Sequence, residues 1–526
     1  IIEDNPILYC DPKKNDRTFS QVLRTYENAK DYVDTRLLGS DIRDNKRFNI
    51  KTVYTKTLGQ DEIADYPTNN AMILVKSGCN TRKSTGIIDE YIKKGDFKSA
   101  VYVTTDKASI DSFIFKRPLW KSYLEQGEKI QDKQDWMPKQ EWLASTEQSL
   151  RYALIGGKTY KPPELVIIDE AEAVGLNILN PNSYLSAHVL YAMCNSAKAV
   201  LMLDADITND LTGYLGESLA KQSGKEPHAL VNSFSWNSEK TIHMLRSERQ
   251  AILTIKALLD AGERVYCHVG FADSSEKKRI SRLVRFFREY LEDDNAVMGF
   301  DRNTAPKELR RNPNKTIQDW FKKGLRLLIH SPWSKRSWDY NPPEGAIEFD
   351  SNVGIYPHTF FSHANIDQQD WRMRKTRKSY IYITHERDYT PFTEFERAID
   401  EGVIRIKDEL KDQQLLRAKK RRSDELSNVR DAYITKVKRE GAEVLYDLID
   451  DPYGEEDYID QMIMHLLTED GEEVLEDEIR SAWLKPKLRR EILEAFYRKT
   501  EIIDLDGLDG VIERPSLDIE TVNYAT

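Results

Sequence analysis

Four short runs, Met72–Val75, Ala100–Thr104, Leu165–Ile168 and Ala199–Leu203, have strand length and are apolar without polar alternation. Each is followed by turn residues and a helix-like stretch. A strand that is apolar on both faces must be covered on both, which a parallel sheet wrapped in helices achieves. Strand and helix in alternation therefore predict a doubly wound α/β sheet. The pattern returns in Arg264–Val269, Ala296–Gly299, Arg326–His330, Ala346–Phe349 and Ser379–Thr384, interleaved with charged helical stretches such as Ser275–Asp293. Two α/β domains of about 150 residues each follow, a usual domain size, with the linker near Ser233–Lys240. The expected organisation is an accessory region over 1–66, a first α/β domain over 67–235, a second over 236–390, and a charged helical C-terminal domain with an acidic tail over 391–526. Beyond about Pro391 no further strands are expected, and 395–450 and 457–500 read as long charged helices.

The 526 residues exceed what one hydrophobic core serves. No run approaches the roughly 20 apolar residues of a membrane span. Cys10, Cys79, Cys194 and Cys267 are far apart and form no CxxC pair, which argues against a zinc module or disulfide framework and fits a reducing cytoplasm. The net charge of -10 hides an asymmetry: residues 441–526 hold 24 Asp and Glu against 8 Lys and Arg, leaving residues 1–440 at about +6. An acidic tail masks a mildly basic body, so the global charge does not exclude nucleic acid.

Two segments carry chemistry. Lys83-Ser84-Thr85 begins a helical stretch a short loop after the run ending at Val75. In such a phosphate-binding loop the amides and helix N-terminus cradle phosphates, the Lys reaches the β- and γ-phosphates, and the hydroxyl holds Mg²⁺. The loop residues Gly78, Asn80, Thr81 and Arg82 join Lys83, Ser84 and Thr85 as candidate ATP contacts. Gly is the usual residue before the Lys; here it is Arg82, and a solvated basic turn is the competing reading. The second segment, Val166–Glu172 (VIIDEAE), is an apolar strand ending in a carboxylate pair. Such a strand delivers an Asp to Mg²⁺ and a following Glu to the attacking water, although an acidic helix start gives the same pattern.

From about residue 70 to 385 the order of motifs resembles superfamily 2 helicases, and within them the viral and phage replication-origin-binding helicases related to the herpesvirus origin-binding protein. Ile73–Thr85 sits at motif I, Val101–Thr105 at motif Ia, Trp142–Leu150 (WLASTEQSL) at the next backbone-contact motif, and Ile167–Glu172 (IIDEAE) at motif II. Leu203–Ile207 (LDADI) is similar to motif III of the origin-binding group. Val265–Gly270, Leu327–Asp339 (LLIHSPWSKRSWD) and Gln368–Arg374 (QQDWRMR) fall at motifs IV, V and VI. The resemblance implies two RecA-like parallel-sheet domains with ATP and Mg²⁺ between them. Lys83 and Ser84 would hold phosphate and metal, Asp169 the Mg²⁺ and Glu170 the water. Gln368 would contact the nucleotide, and Arg372 and Arg374 would reach its γ-phosphate across the cleft, with a basic nucleic-acid patch shared with Lys375, Arg377 and Lys378 as the competing reading. Thr104, Thr105, Ser145, Thr146, Gly270, Ser331, Trp333, Lys335 and Arg336 would hold a nucleic-acid backbone. The chain departs from the group at Asn80 and Arg82, where relatives have glycine, at Ser337 or Trp338 in motif V, and at Trp371 in motif VI. Arg82 either crowds the loop or adds a phosphate contact.

The implied activity is that of an ATP-driven DNA helicase or translocase acting in phage or viral replication. Its partners would be single-stranded or forked DNA and replication proteins such as a primase, polymerase or single-strand-binding protein. A degenerate loading or architectural factor and an RNA helicase are the competing readings. Trp333 and Trp338 flank Lys335-Arg336, which suits base stacking and core packing alike. His358 and His363 lack the neighbours of a metal site and read as packing residues. Lys419–Arg422 reads as a solvated helix face, with a backbone-tracking patch as the alternative.

Overall fold

The computed structural model describes residues 38–446 apart from 106, 116, 126–132, 134–135, 154–161, 271–278, 302–303, 307, 310–311, 332–339, 358–361, 385–409 and 428. The expected α/β class, with two parallel sheets, is what it shows. Strands β1 (Asn49–Val53), β2 (Ala71–Ser77), β3 (Ala100–Thr104), β4 (Lys121–Ser122), β5 (Trp142–Thr146), β6 (Leu165–Asp169), β7 (Ala199–Asp204) and β8 (Glu226–Asn232) form the first sheet. Its order is β1-β8-β2-β7-β6-β3-β5-β4, parallel at every pairing. The central strands are the apolar runs of the sequence: Met72, Ile73, Leu74 and Val75 are all buried, as are Val166, Ile167 and Ile168. Each such side chain contributes about 1.5–3 kcal/mol by leaving water.

A second sheet is built from β9 (Thr241–Met244), β10 (Val265–Val269), β11 (Val297–Phe300), β12 (Leu327–His330), β13 (Ser351–Tyr356), β14 (Lys378–Ile383) and β15 (Glu443–Tyr446). Its order is β11-β12-β10-β13-β14-β9-β15, again wholly parallel. Both sheets lie in one compact unit, Ile1–Ser281 with Asp293–Asp447. Among the described residues no helix is long and apolar enough to cross a membrane.

Several expectations need correction. Segment 1–66 is not wholly accessory, because β1 is the edge strand of the first sheet, paired with β8. As an edge strand it is only half-buried and carries Asn49 and Lys51, so it shows no apolar run. Strands do not stop near Pro391: β15 pairs with β9, also as a mostly exposed edge strand. Ala346–Phe349 is not a strand. Phe349 turns into a separate cluster with Tyr266, Phe321 and Tyr340, and the strand starts at Ser351. Its polar opening was invisible as a strand signal because Ser351 and Asn352 are buried with partners, Glu263 and Asp370.

Candidate functional site

In a parallel sheet every strand ends on the same edge, and ligands of such sheets bind there. β7 lies between β2 and β6, so Ser77, Asp169 and Asp204 emerge side by side. The chain leaves β2 at Ser77, crosses the loop 78–82, and enters a wide helical turn Lys83–Ile87 that continues as helix Ile88–Gly95. Thr81 pins the loop from within: its hydroxyl pairs with that of Ser77 (2.7 Å) and donates to the Gly78 carbonyl (2.8 Å). Its carbonyl accepts from the Leu58 amide (2.8 Å).

Asn80 and Arg82 both have φ of 62°, the left-handed region that glycine occupies without cost. Asn tolerates it through its short polar side chain, whereas Arg carries roughly 1–2 kcal/mol of strain. Both are thus backbone positions where glycine is the unstrained residue, and the loop keeps that shape without it. The helical turn also depends on Gly86, where any Cβ would strike the Leu58 carbonyl.

Lys83 donates to the carbonyls of Ser77 and Gly78, the latter at 3.0 Å. Ser84 Oγ donates to Asp169 Oδ2 at 2.9 Å, and Tyr102 OH to the same oxygen at 2.8 Å. Burial raises the pKa of Asp169, and the two hydroxyls and the Lys83 ammonium work against that rise. Glu170 follows in the left-handed region (φ 60°), and its Oε2 accepts from Thr105 at 3.0 Å and Thr104 at 3.4 Å. Ser84 and Asp169 offer hard oxygen donors within reach of one ion, and a cation there would offset the burial cost of the carboxylate. These residues fit Mg²⁺. Among the described residues no cluster of three or more His, Cys, Asp or Glu holds a metal unaided, so phosphate and water would complete its shell.

The last acid of the run, Glu172, does not face the cleft. Its carboxylate is buried and accepts from the Thr208 amide (3.2 Å), Thr208 Oγ1 (2.5 Å) and Thr212 Oγ1 (2.5 Å), while its own amide donates to Asp204 (2.9 Å). Burial pushes its pKa up to about 7, against the pull of Arg421 and the two threonines. Glu172 ties the segment after β6 to the one after β7.

From the second sheet, helix His363–Asp370 runs into Trp371–Arg374. Asp370 anchors it: a buried ion pair with Lys240 (2.6 Å) is joined by donors from Ser379 (2.6 Å) and Asn352 (3.2 Å). Trp371, where the resemblance expected glycine, is fully buried. Its Nε1 donates to Asn237 (2.8 Å), and Lys240 lies 3.9 Å from the ring centroid. Arg372 and Arg374 are held by main-chain bonds to Tyr340, at 2.8 and 3.0 Å. The neighbouring His268 and His330 are driven towards the neutral form by burial and by the Arg372 cation.

A cleft of about 1400 Å³ gathers these elements. Asn80, Thr81, Arg82, Lys83, Ser84, Thr85, Asp169 and Glu170 line it from the first sheet, and Gln368, Arg372 and Arg374 from the second. Gly78 lies beside it, against the Phe234 carbonyl. The candidate nucleic-acid residues are placed differently. Thr104, Ser145, Thr146 and Ser331 are buried, so their hydroxyls are not on offer to a backbone, and Thr104 serves Glu170 instead. Thr105, half-buried, also points to Glu170. Gly270 is buried, its amide bonded to the Ile355 carbonyl. Trp333, Lys335, Arg336, Trp338 and His358 lie outside the described residues. His363 is a buried packing residue, and the solvated-face reading of Lys419–Arg422 is corrected at Arg421, which is buried near Glu172.

The motif reading missed Tyr102 and Arg117. Tyr102 read as part of an apolar strand and of motif Ia, not as a partner of Asp169. Arg117 binds Asp89 (2.7 Å) and the Ser84 carbonyl (3.0 Å) and stacks on Phe113, 4.1 Å from its centroid. Nothing in the sequence around it marks that role.

No family model matches the chain, and no curated protein matches it. Similar solved structures include the DEAD-box helicase Mss116 bound to ssRNA and UDP-BeF, at 12% identity and TM-score 0.42, covering 66% of this chain and 80% of that one. S. cerevisiae Dbp5 bound to RNA and ADP BeF3 is similar at 11% identity and TM-score 0.44, covering 77% and 91%. The Mycobacterium smegmatis helicase Lhr bound to ssDNA and AMP-PNP is similar at 15% identity and TM-score 0.35, covering 71% of this chain and 48% of that one.

Proposed function

We propose that this chain is a nucleic-acid-dependent ATP hydrolase of the superfamily 2 helicase kind, working as a DNA translocase or helicase. The observation that carries the reading is the single cleft shared by Lys83, Ser84, Asp169 and Glu170 on one side and Arg372 and Arg374 on the other. Hydrolysis needs a base or orienting group for water, cations for the phosphate oxygens, and alignment of water with the leaving diphosphate. Glu170 is held at the cleft by Thr104 and Thr105 and suits the first task. Lys83 and the two arginines suit the second. When bound, Mg²⁺ at Ser84 and Asp169 would neutralise phosphate charge. Because the arginines come from the other sheet, the charge of the nucleotide favours bringing the two sheets together, which is how turnover couples to movement along a strand.

A nucleic-acid strand is supported by the mildly basic body and by exposed Phe115, which lines the cleft along with Arg117 and Lys121. Aromatic and basic groups together suit single-stranded bases. A role in replication of the origin-binding kind rests on Leu203–Ile207 (LDADI) and the motif order.

The test is ATP turnover with and without single-stranded DNA or RNA, on wild type and Lys83→Ala. We expect stimulation by DNA and a loss on the order of 100-fold in the variant, as for removal of one charge-stabilising donor. Unchanged turnover in Lys83→Ala removes the site from the reading. Nucleotide binding without stimulated turnover favours a loading factor, and stronger stimulation by RNA favours an RNA helicase.

A further inference from the structure

The helix pair between β14 and β15 divides between the two sheets. Leu410–Ser427 lies with the first: Ala418 is part of that core, and Arg417 donates to the Asp210 carbonyl (3.2 Å) and stacks on Tyr214. Val429–Arg439 lies with the second: Val429, Tyr433 and Val437 share a core cluster with Tyr356, Ile366 and Ile381. From that second helix Lys436, only 5% exposed, reaches back to the first sheet. Its Nζ is 2.5 Å from Asp206, just past β7, and 2.9 Å from Asp367, the residue before Gln368; Glu440 stands at 3.8 Å. Asn237 holds the far side, donating to Asp367 (2.9 Å) and Glu440 (2.7 Å) and accepting from Trp371.

We propose that Lys436 is a positioning residue that sets closure of the nucleotide cleft by bridging Asp206 of the first sheet to Asp367 on the helix that delivers Gln368, Arg372 and Arg374. Burial opposes its charge, but Asp206, Asp367 and Glu440 outweigh burial and keep it protonated. The bridge joins carboxylates of opposite sheets, Asp206 and Asp367, and Lys76 of the first sheet is a further cation acting on Asp206. Without the ammonium, Asp206 and Asp367 are left as neighbouring buried carboxylates, which favours their separation. Separation withdraws the arginines from Lys83 while leaving the phosphate loop, wholly within the first sheet, intact. The turnover arm of this proposal rests on the nucleotide reading above; the bridge itself does not.

The experiment compares wild type, Lys436→Met and Lys436→Met/Asp206→Asn by hydrogen exchange, ATP binding and stimulated turnover. In Lys436→Met, exchange is expected to rise in the segments 204–212 and 363–374, with β2 and β10 unchanged. ATP affinity stays within about threefold while kcat falls on the order of 10–100-fold, the scale of a small misplacement of reacting groups. Adding Asp206→Asn removes one of the opposed charges and restores part of the protection and part of the kcat. The proposal is overturned if exchange in both segments is unchanged, if the loss spreads equally to β2 and β10, or if Asp206→Asn deepens it. Should wild type show no turnover at all, the nucleotide reading fails while the exchange measurements still decide the bridge.

Discussion

Gly86→Ala sets local propensity directly against tertiary contact. Gly86 lies in the helical turn Lys83–Ile87, and replacing a helical glycine with alanine normally stabilises by about 0.8–1 kcal/mol. A Cβ at this position, however, would stand well inside 3 Å of the Leu58 carbonyl oxygen and 3.1 Å from its carbon. The neighbour is backbone and cannot rotate away. Leu58 is itself buried, and its amide holds the Thr81 carbonyl at 2.8 Å. Relief therefore requires moving the segment that pins the phosphate loop. Overpacking costs about 1–3 kcal/mol, and a weakened Leu58–Thr81 hydrogen bond adds about 0.5–1.5 kcal/mol. Set against the helix gain, the net is a destabilisation of about 0.5–3.7 kcal/mol. Because Thr81 shifts with Leu58, ATP affinity should fall by about tenfold, equivalent to 1.4 kcal/mol. Chemical denaturation and titration with a fluorescent ATP analogue read the two effects. Gly59→Ala is the control for packing, since its nearest new contact is Glu62 at 4.0 Å, and as an N-cap substitution it should cost no more than about 1 kcal/mol with ATP affinity unchanged. A Gly86→Ala protein as stable as wild type, with unchanged ATP affinity, would refute the reasoning.

Two further outcomes follow from buried charge. The raised pKa of Glu172 means the folded state binds its proton more tightly than the unfolded chain, so stability is lost as pH rises from the ordinary carboxyl value towards 7. Glu172→Gln removes that dependence. Its stability relative to wild type should improve by up to about 3 kcal/mol between pH 5 and 8, and parallel denaturation curves across that range would contradict it. Lys240→Met strips the partner from Asp370, a pair buried to 0% and 1% side-chain exposure. The expected cost is about 3–5 kcal/mol, read by denaturant unfolding; a loss under 1 kcal/mol would mean that Ser379 and Asn352 alone satisfy the carboxylate.

The sequence by itself determined the α/β class, the central strands, and the residue types of the cleft. Strands covered on both faces must be apolar throughout, as in β2, β6 and β7, and the Lys83-Ser84 turn and the Asp169-Glu170 pair stand out as the polar residues that follow such strands. The edge strands β1 and β15, exposed or half-buried along their length, carry no such run, whereas the edge strand β11 does and was legible. Nor did the buried polar opening of β13, whose partners are distant in sequence. Only the tertiary structure decided that Asn80 and Arg82 hold a backbone shape glycine usually supplies, because φ is set by the closure of the whole loop. It alone turned Thr104 and Thr105 towards Glu170, buried Arg421, and brought Lys436 to Asp206, 230 residues away in the chain. Such pairings depend on where two sheets and a helix pair come to rest against each other, and no local periodicity encodes that.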